Sequence, residues 1–288
     1  MKGMHCGTLV LALCAAAWSG AAAAGAAEAQ QQGAAMAAMH HDDAPVASPA
    51  AQVPPAVPVT GQEVSYGSVG GKPVKGYFAK PAKAAANLPG VILYHEWWGL
   101  NDNIRHMADR LAGEGYLVLA ADLYGGRSAE QPDQAQALMQ QAIADGPAID
   151  ANIEAAYSWL KDTAKAAKIG TVGWCFGGSM SFQAGQVLGE RSAATVIYYG
   201  FVNDHADELA KMKAPVLGLF GGKDGGIPVT TVHGFQKGLE AQNKHPLIHV
   251  YPDAGHAFAN PSGKNYRKDD AEDAWKRTLA FLGQYLKG

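Results

Sequence analysis

Ile169-Gly170-Thr171-Val172-Gly173-Trp174-Cys175-Phe176-Gly177-Gly178 is the stretch that decides the fold. Ile169–Trp174 is a short apolar run and reads as a buried strand, while Gly177–Leu188 carries helical spacing. Cys175 falls at the bend between them, with glycines two places before and two after. A strand that turns sharply into a helix and offers a nucleophile at the turn follows the pattern G-x-S-x-G, here with cysteine in place of serine. The bend strains the backbone of its central residue, and side chains on the flanking positions would collide with the turn. The start of a helix beside the sulfur favours thiolate. A buried packing cysteine is the competing reading of the same residue.

Outward from this bend the chain alternates between strands and helices. Glu63–Ser68 and Pro73–Phe78 read as a hairpin turned at Gly70-Gly71. Apolar runs at Gly90–Tyr94, Tyr116–Ala121, Ala193–Tyr199, Pro215–Phe220 and Leu247–Tyr251 predict buried strands. Helical spacing fills Asn101–Glu114, Gln131–Ala144, Ala148–Ala166, Val229–Gln242 and Ala271–Leu286. Such alternation predicts an α/β fold, a mostly parallel sheet with helices on both faces. Reactive groups in such a sheet gather beyond the carboxyl ends of the strands.

The 288 residues are 48% hydrophobic and 17% charged, with a formal net charge of −3. One α/β domain over residues 61–288 suits that makeup, and nothing in it attracts nucleic acid. Residues 1–27 read as an export signal: Lys2, the apolar run Leu9–Trp18, then small residues at Ala21–Ala27. A periplasmic or secreted protein, with no stable membrane span once the signal is cut, is the expectation; a monomer is favoured. Of three cysteines, Cys6 and Cys14 would leave with the signal, so Cys175 has no disulfide partner. Residues 28–60, rich in Ala, Gln and Pro, read as a disordered linker. Within it, Met36, Met39, His40, His41, Asp42 and Asp43 are either a weak Cu or Ni site or a solvated tether.

A cysteine nucleophile needs a base, and the base needs an orienting acid. Asp224 follows the strand ending at Phe220, and His256 follows the strand ending at Tyr251. Asp253 is the rival acid, although its place on the same short loop as His256 makes reaching the ring awkward. An oxyanion would need two donors. The backbone N–H of Phe176 is one, and the loop His95-Glu96-Trp97-Trp98 offers Trp97 as the other.

These segments together resemble the dienelactone hydrolase family, the carboxymethylenebutenolidases, from about Glu63 to the C-terminus. The matching pieces are Glu96-Trp97-Trp98-Gly99-Leu100-Asn101 with Arg105, Asp122-Leu123-Tyr124, Gly173–Gly178, Asp224 and Ala254-Gly255-His256-Ala257-Phe258. The resemblance implies the α/β-hydrolase fold and a Cys175–His256–Asp224 triad that cleaves small esters or lactones without metal or cofactor. It also implies that Glu96 pairs with the resting thiol and helps to generate thiolate when substrate arrives. The substrate of the best-known members is an anionic lactone held by arginines. Here Arg127 lies one place late after Gly125-Gly126, and Asn260 stands where a second arginine is expected. A more neutral ester or lactone follows, with Tyr124, Trp97 and Trp98 lining an apolar pocket, unless Trp98 is core. Two alternatives remain open: a binding or stress-related protein that keeps the fold without catalysis, and a redox-active thiol.

Overall fold

The computed structural model describes Ala34, Ala38 and residues 40–288. The expected export signal over 1–27 lies outside the described residues, as does most of 28–39, including Met36 and Met39. Among the described residues no helix is long and apolar enough to cross a membrane.

Strand β1 (Val59–Val69) turns into β2 (Lys72–Pro81) at Gly70 and Gly71. Both glycines have positive φ, 56° and 75°, as a two-residue turn that follows the strand twist requires. The hairpin joins β3 (Gly90–Tyr94), β4 (Leu117–Ala121), β5 (Ile169–Trp174), β6 (Ala194–Tyr198), β7 (Val216–Gly221) and β8 (Leu247–Tyr251). The eight strands run in the order β1-β2-β4-β3-β5-β6-β7-β8. β2 pairs antiparallel with β1 and β4, and every other pairing is parallel. β3 to β7 are buried along their whole length, which is why they read as continuous apolar runs.

Helix α2 (Asp102–Gly113) starts at Asn101, whose side-chain oxygen accepts from the Ile104 N–H at 3.2 Å. It shares a face with α8 (Lys268–Leu282), and the Arg110 guanidinium lies 4.2 Å over the Trp275 ring between them. Helices α3 (Pro132–Ala144), α4 (Gly146–Ser158), α5 (Phe176–Leu188), α6 (Ala206–Lys211) and α7 (Val229–Glu240) complete the layers. The helix expected over 148–166 begins earlier, because the Asp145 carboxylate accepts from Ala148 N–H and starts it at Gly146. The α-helix ends at Ser158 and runs on as one wider turn, Trp159–Thr163.

The expected disordered linker does not extend to residue 60. From His40 on, the chain lies against the domain as a strap. Ser48 caps a four-residue helix, α1 (Pro49–Gln52), that buries Ala50 and Ala51. Ala47 bridges Ser262, Ser48 N–H donates to the Pro261 carbonyl at 2.9 Å, and Gly263 N–H donates to the Val46 carbonyl at 2.8 Å. Asn103 donates to the Pro45 carbonyl at 2.9 Å. These are mostly backbone bonds and small side chains, so the strap leaves no apolar period in the sequence.

Where α5 leaves the sheet, Gly178 packs directly on the Tyr198 carbonyl and on Gly200, with no room for a Cβ. Gly178→Ala is expected to destabilise the fold by about 1–3 kcal/mol through overpacking. Denaturant midpoints of the two proteins check this, and an unchanged midpoint would contradict the close packing.

Candidate active site

Cys175 sits between β5 and α5 with φ 56° and ψ −120°, a region that few side-chain-bearing residues adopt. The bend closes tightly: a Cβ on Gly173 would strike the Gly177 backbone, and one on Gly177 would strike the Tyr94 and His95 carbonyls. Cys175 N–H is held by the Tyr198 carbonyl at 3.1 Å. The residue is only 4% exposed. Burial pushes the thiol pKa well up; the N–H groups of Phe176 and Trp97 oppose this, and the charges of Glu96 and Asp224 add to it. The sulfur therefore rests as a thiol. The expected pull of the helix start toward thiolate is outweighed. Both expected oxyanion donors, Phe176 and Trp97, face the sulfur.

Asp224 and His256 are brought together from the loops after β7 and β8, with His256 Nδ1 2.7 Å from Asp224 Oδ2. The other Asp224 oxygen accepts from Gly226 N–H at 2.9 Å and Ile227 N–H at 3.0 Å. Burial works against its ionisation, but the His256 contact and these N–H groups prevail and hold the carboxyl below its usual range. With Nδ1 donating to the carboxylate, His256 Nε2 is left as a bare acceptor; it is buried and has no partner. Asp253 is not a rival here, since its exposed carboxylate pairs with Lys223 at 2.7 Å.

Glu96, at the end of β3, is fully buried. One oxygen accepts from Ser262 N–H at 3.0 Å, and the other has no partner. Burial raises its pKa to about 8; the Ser262 contacts oppose the rise and Asp43 adds to it. Its neighbour His95 is a satisfied core histidine: Nδ1 donates to the Glu96 carbonyl at 2.6 Å, and Nε2 accepts from Leu123 N–H at 3.2 Å.

A cavity of about 520 Å³ reaches Cys175 and Phe176. Its walls include Met139, Ile149, Met180, Phe182 and Phe201, and its charged members are Asp150, Glu208 and Lys211 with His205. No arginine lines it. Arg127 and Tyr124, expected at the substrate, line a separate cavity of about 230 Å³. Gly125 and Gly126 both take positive φ, and Asp122 gathers the N–H groups of Tyr124 and Gly126. The turn sends Arg127 to Gln141 Oε1 at 3.0 Å. Tyr124 stacks on Phe176 with ring centroids 5.7 Å apart and backs the bend. Trp97 and Trp98 are both buried and line neither cavity, and Asn260 is buried with its side-chain oxygen unpartnered. The residues that sequence reasoning missed are Tyr199, whose ring centroid lies 5.2 Å from that of His256, and His40. Tyr199 directly follows β6, so the strand-end rule could have marked it; His40 stood out only as part of the possible metal cluster in the linker, and nothing in the sequence pointed it at His256.

The family model described as dienelactone hydrolase family matches residues 74–286. A protein of Salmonella typhimurium, named as a candidate carboxymethylenebutenolidase, is 33% identical over 84% of this chain and 95% of its own length. A protein of the same name from Escherichia coli is also 33% identical, over 84% of this chain and 94% of its own. The crystal structure of a candidate dienelactone hydrolase from Klebsiella pneumoniae is 30% identical, covering 79% of this chain and all of that one, with a TM-score of 0.70.

The buried Glu96 predicts a pH dependence of stability. In the unfolded chain it ionises near 4.5, and in the fold only near 8. Its contribution is therefore intact at low pH and is lost as pH rises from about 4.5 to about 8. Glu96→Gln removes that loss, so its stability advantage over the parent should grow across this window, to roughly a few kcal/mol, and then level off. Urea titrations of both proteins at several pH values measure it; parallel pH profiles would refute a neutral Glu96.

Proposed function

Since the chain belongs to the dienelactone hydrolase family and is a carboxylic ester hydrolase, we propose that it cleaves small neutral esters or lactones through Cys175, His256 and Asp224, by way of a thioester. The thiol proton passes to His256 Nε2 as the sulfur attacks the carbonyl carbon. The oxyanion lies between the N–H groups of Phe176 and Trp97. Collapse breaks the C–O bond, and His256 returns the proton to the leaving alkoxide. His256 then deprotonates a water that attacks the thioester, and the departing sulfur recovers its proton. Asp224 holds the ring so that Nε2 faces the reaction. A lactone leaves its alcohol tethered to the acid.

The observation that carries this reading is the bare, buried Nε2 of His256, fixed by Asp224 at 2.7 Å, in one site with a sulfur that two backbone N–H groups face. Burial, reinforced by the Asp224 charge, keeps the resting thiol protonated, which protects it from oxidation if the protein is exported to the periplasm or beyond. The cavity that reaches Cys175 carries two carboxylates, Asp150 and Glu208, against a single lysine, Lys211, and no arginine, a balance that favours a neutral acyl group over a carboxylated one.

Hydrolysis of short p-nitrophenyl esters, neutral lactones and a carboxylated enol-lactone tests this. The expected result is turnover of the neutral substrates in preference. Cys175→Ala should fall to background with its fold intact, and Asp224→Asn should lose about 10²–10⁴ in kcat. Retained activity in Cys175→Ala would overturn the mechanism. A folded protein that hydrolyses nothing would turn the reading to a ligand-binding protein.

A further inference from the structure

The strap carries a second imidazole–carboxylate pair to the catalytic histidine. His40 is 6% exposed, and its ring centroid lies 5.2 Å from that of His256 and 5.8 Å from that of Trp97, edge-on to both. Asp43 holds it, with Nδ1 and Oδ2 2.6 Å apart and the carboxylate itself only 10% exposed. Lys264 donates to the Asp42 carbonyl at 3.2 Å and so ties this turn to the loop after His256. The neighbours His41 and Asp42 point outward, with side chains 72% and 74% exposed. His40 is thus turned inward while its immediate neighbours His41 and Asp42 stay at the surface.

Access to the site is therefore lopsided. The cavity that reaches Cys175 and Phe176 is lined by none of His40, Trp97 and His256. The flank over His256 is closed, and its Nε2, like that of His40, is sealed from solvent with no partner. A leaving alkoxide must lie against the histidine that protonates it, while the acyl group stays on the sulfur. The open cavity of about 520 Å³ is then acyl space, and the closed flank is leaving-group space.

We infer that His40, latched by Asp43, is a specificity-determining wall that limits the alcohol part of the substrate. Small alcohols fit beneath it. So do lactones, whose alcohol is tied back to the acyl chain and can share the open cavity. Esters of bulky alcohols are refused. This rests on the proposed triad, because it takes His256 as the donor to the leaving group.

A series of butyrate esters of methyl, butyl and benzyl alcohol, followed by acid release, reads the wall. The parent should prefer methyl over benzyl by at least about tenfold in kcat/KM, the scale on which pocket size discriminates. His40→Ala should narrow that preference by about tenfold, while His40→Phe, which restores the bulk without the nitrogens, should keep it. An unchanged preference in His40→Ala would overturn the inference. So would His40→Phe behaving like His40→Ala, since polarity and not bulk would then matter.

A second readout needs no turnover. Diethyl pyrocarbonate should modify His256 slowly in the parent, relative to exposed His41 and His205, and roughly tenfold faster in His40→Ala, as peptide mapping would show. Faster labelling without ester hydrolysis would sink the triad and the specificity reading with it, leaving His40 only as a cover over His256. Hydrolysis with unchanged labelling would sink the wall and spare the triad.

Discussion

The site depends on the backbone of Cys175 being held at a φ of 56° where the central strand β5 becomes α5. A conformation of this kind costs about 1–3 kcal/mol and persists only where the surroundings impose it. Here the imposition is steric. Gly177 lies beneath the Tyr94 and His95 carbonyls, Gly178 lies against Gly200, and both strands flanking β5 are buried. The bend lifts the sulfur off the end of the sheet and turns the Phe176 N–H back toward it. Every other group of the site then needs only to stand at the end of a neighbouring strand. Glu96 follows β3, Tyr199 follows β6, Asp224 follows β7 and His256 follows β8.

Burial governs the chemistry as much as position does. It raises the thiol and Glu96 together, so the resting pair is neutral and carries no ion pair to be broken. Asp224 by contrast stays a carboxylate, held by two N–H groups and His256. A proton can leave sulfur only when an acceptor and an electrophile are both at hand, which the bare His256 Nε2 and a bound carbonyl would supply. The strap adds to the same effect by keeping water from His256.

The bend, the sheet and the placement of the three groups of the proposed triad were legible because each is encoded locally. Glycines at fixed offsets mark the bend, apolar runs mark the strands, and Asp224 and His256 fall just beyond two of those runs. What escaped is encoded at a distance. The strap is held by backbone bonds to residues 261–263, more than 200 positions away, and its only buried apolar groups in α1 are the methyls of Ala50 and Ala51. Arg127 looked like a substrate ligand from its offset alone, but the double glycine before it redirects the turn toward Gln141. Trp98 read as core or pocket with equal force, and it is core. A helix start beside sulfur pointed to thiolate because sequence shows the dipole and not the depth of burial that opposes it.

The most direct measurement is to trap the covalent intermediate. A short neutral ester is mixed with the protein, the reaction is quenched in acid during turnover, and the digested chain is mapped by mass spectrometry. The account predicts the acyl group, as a thioester, on the peptide that carries Cys175. Turnover with that cysteine left unacylated, or with the acyl group on a serine, would contradict it.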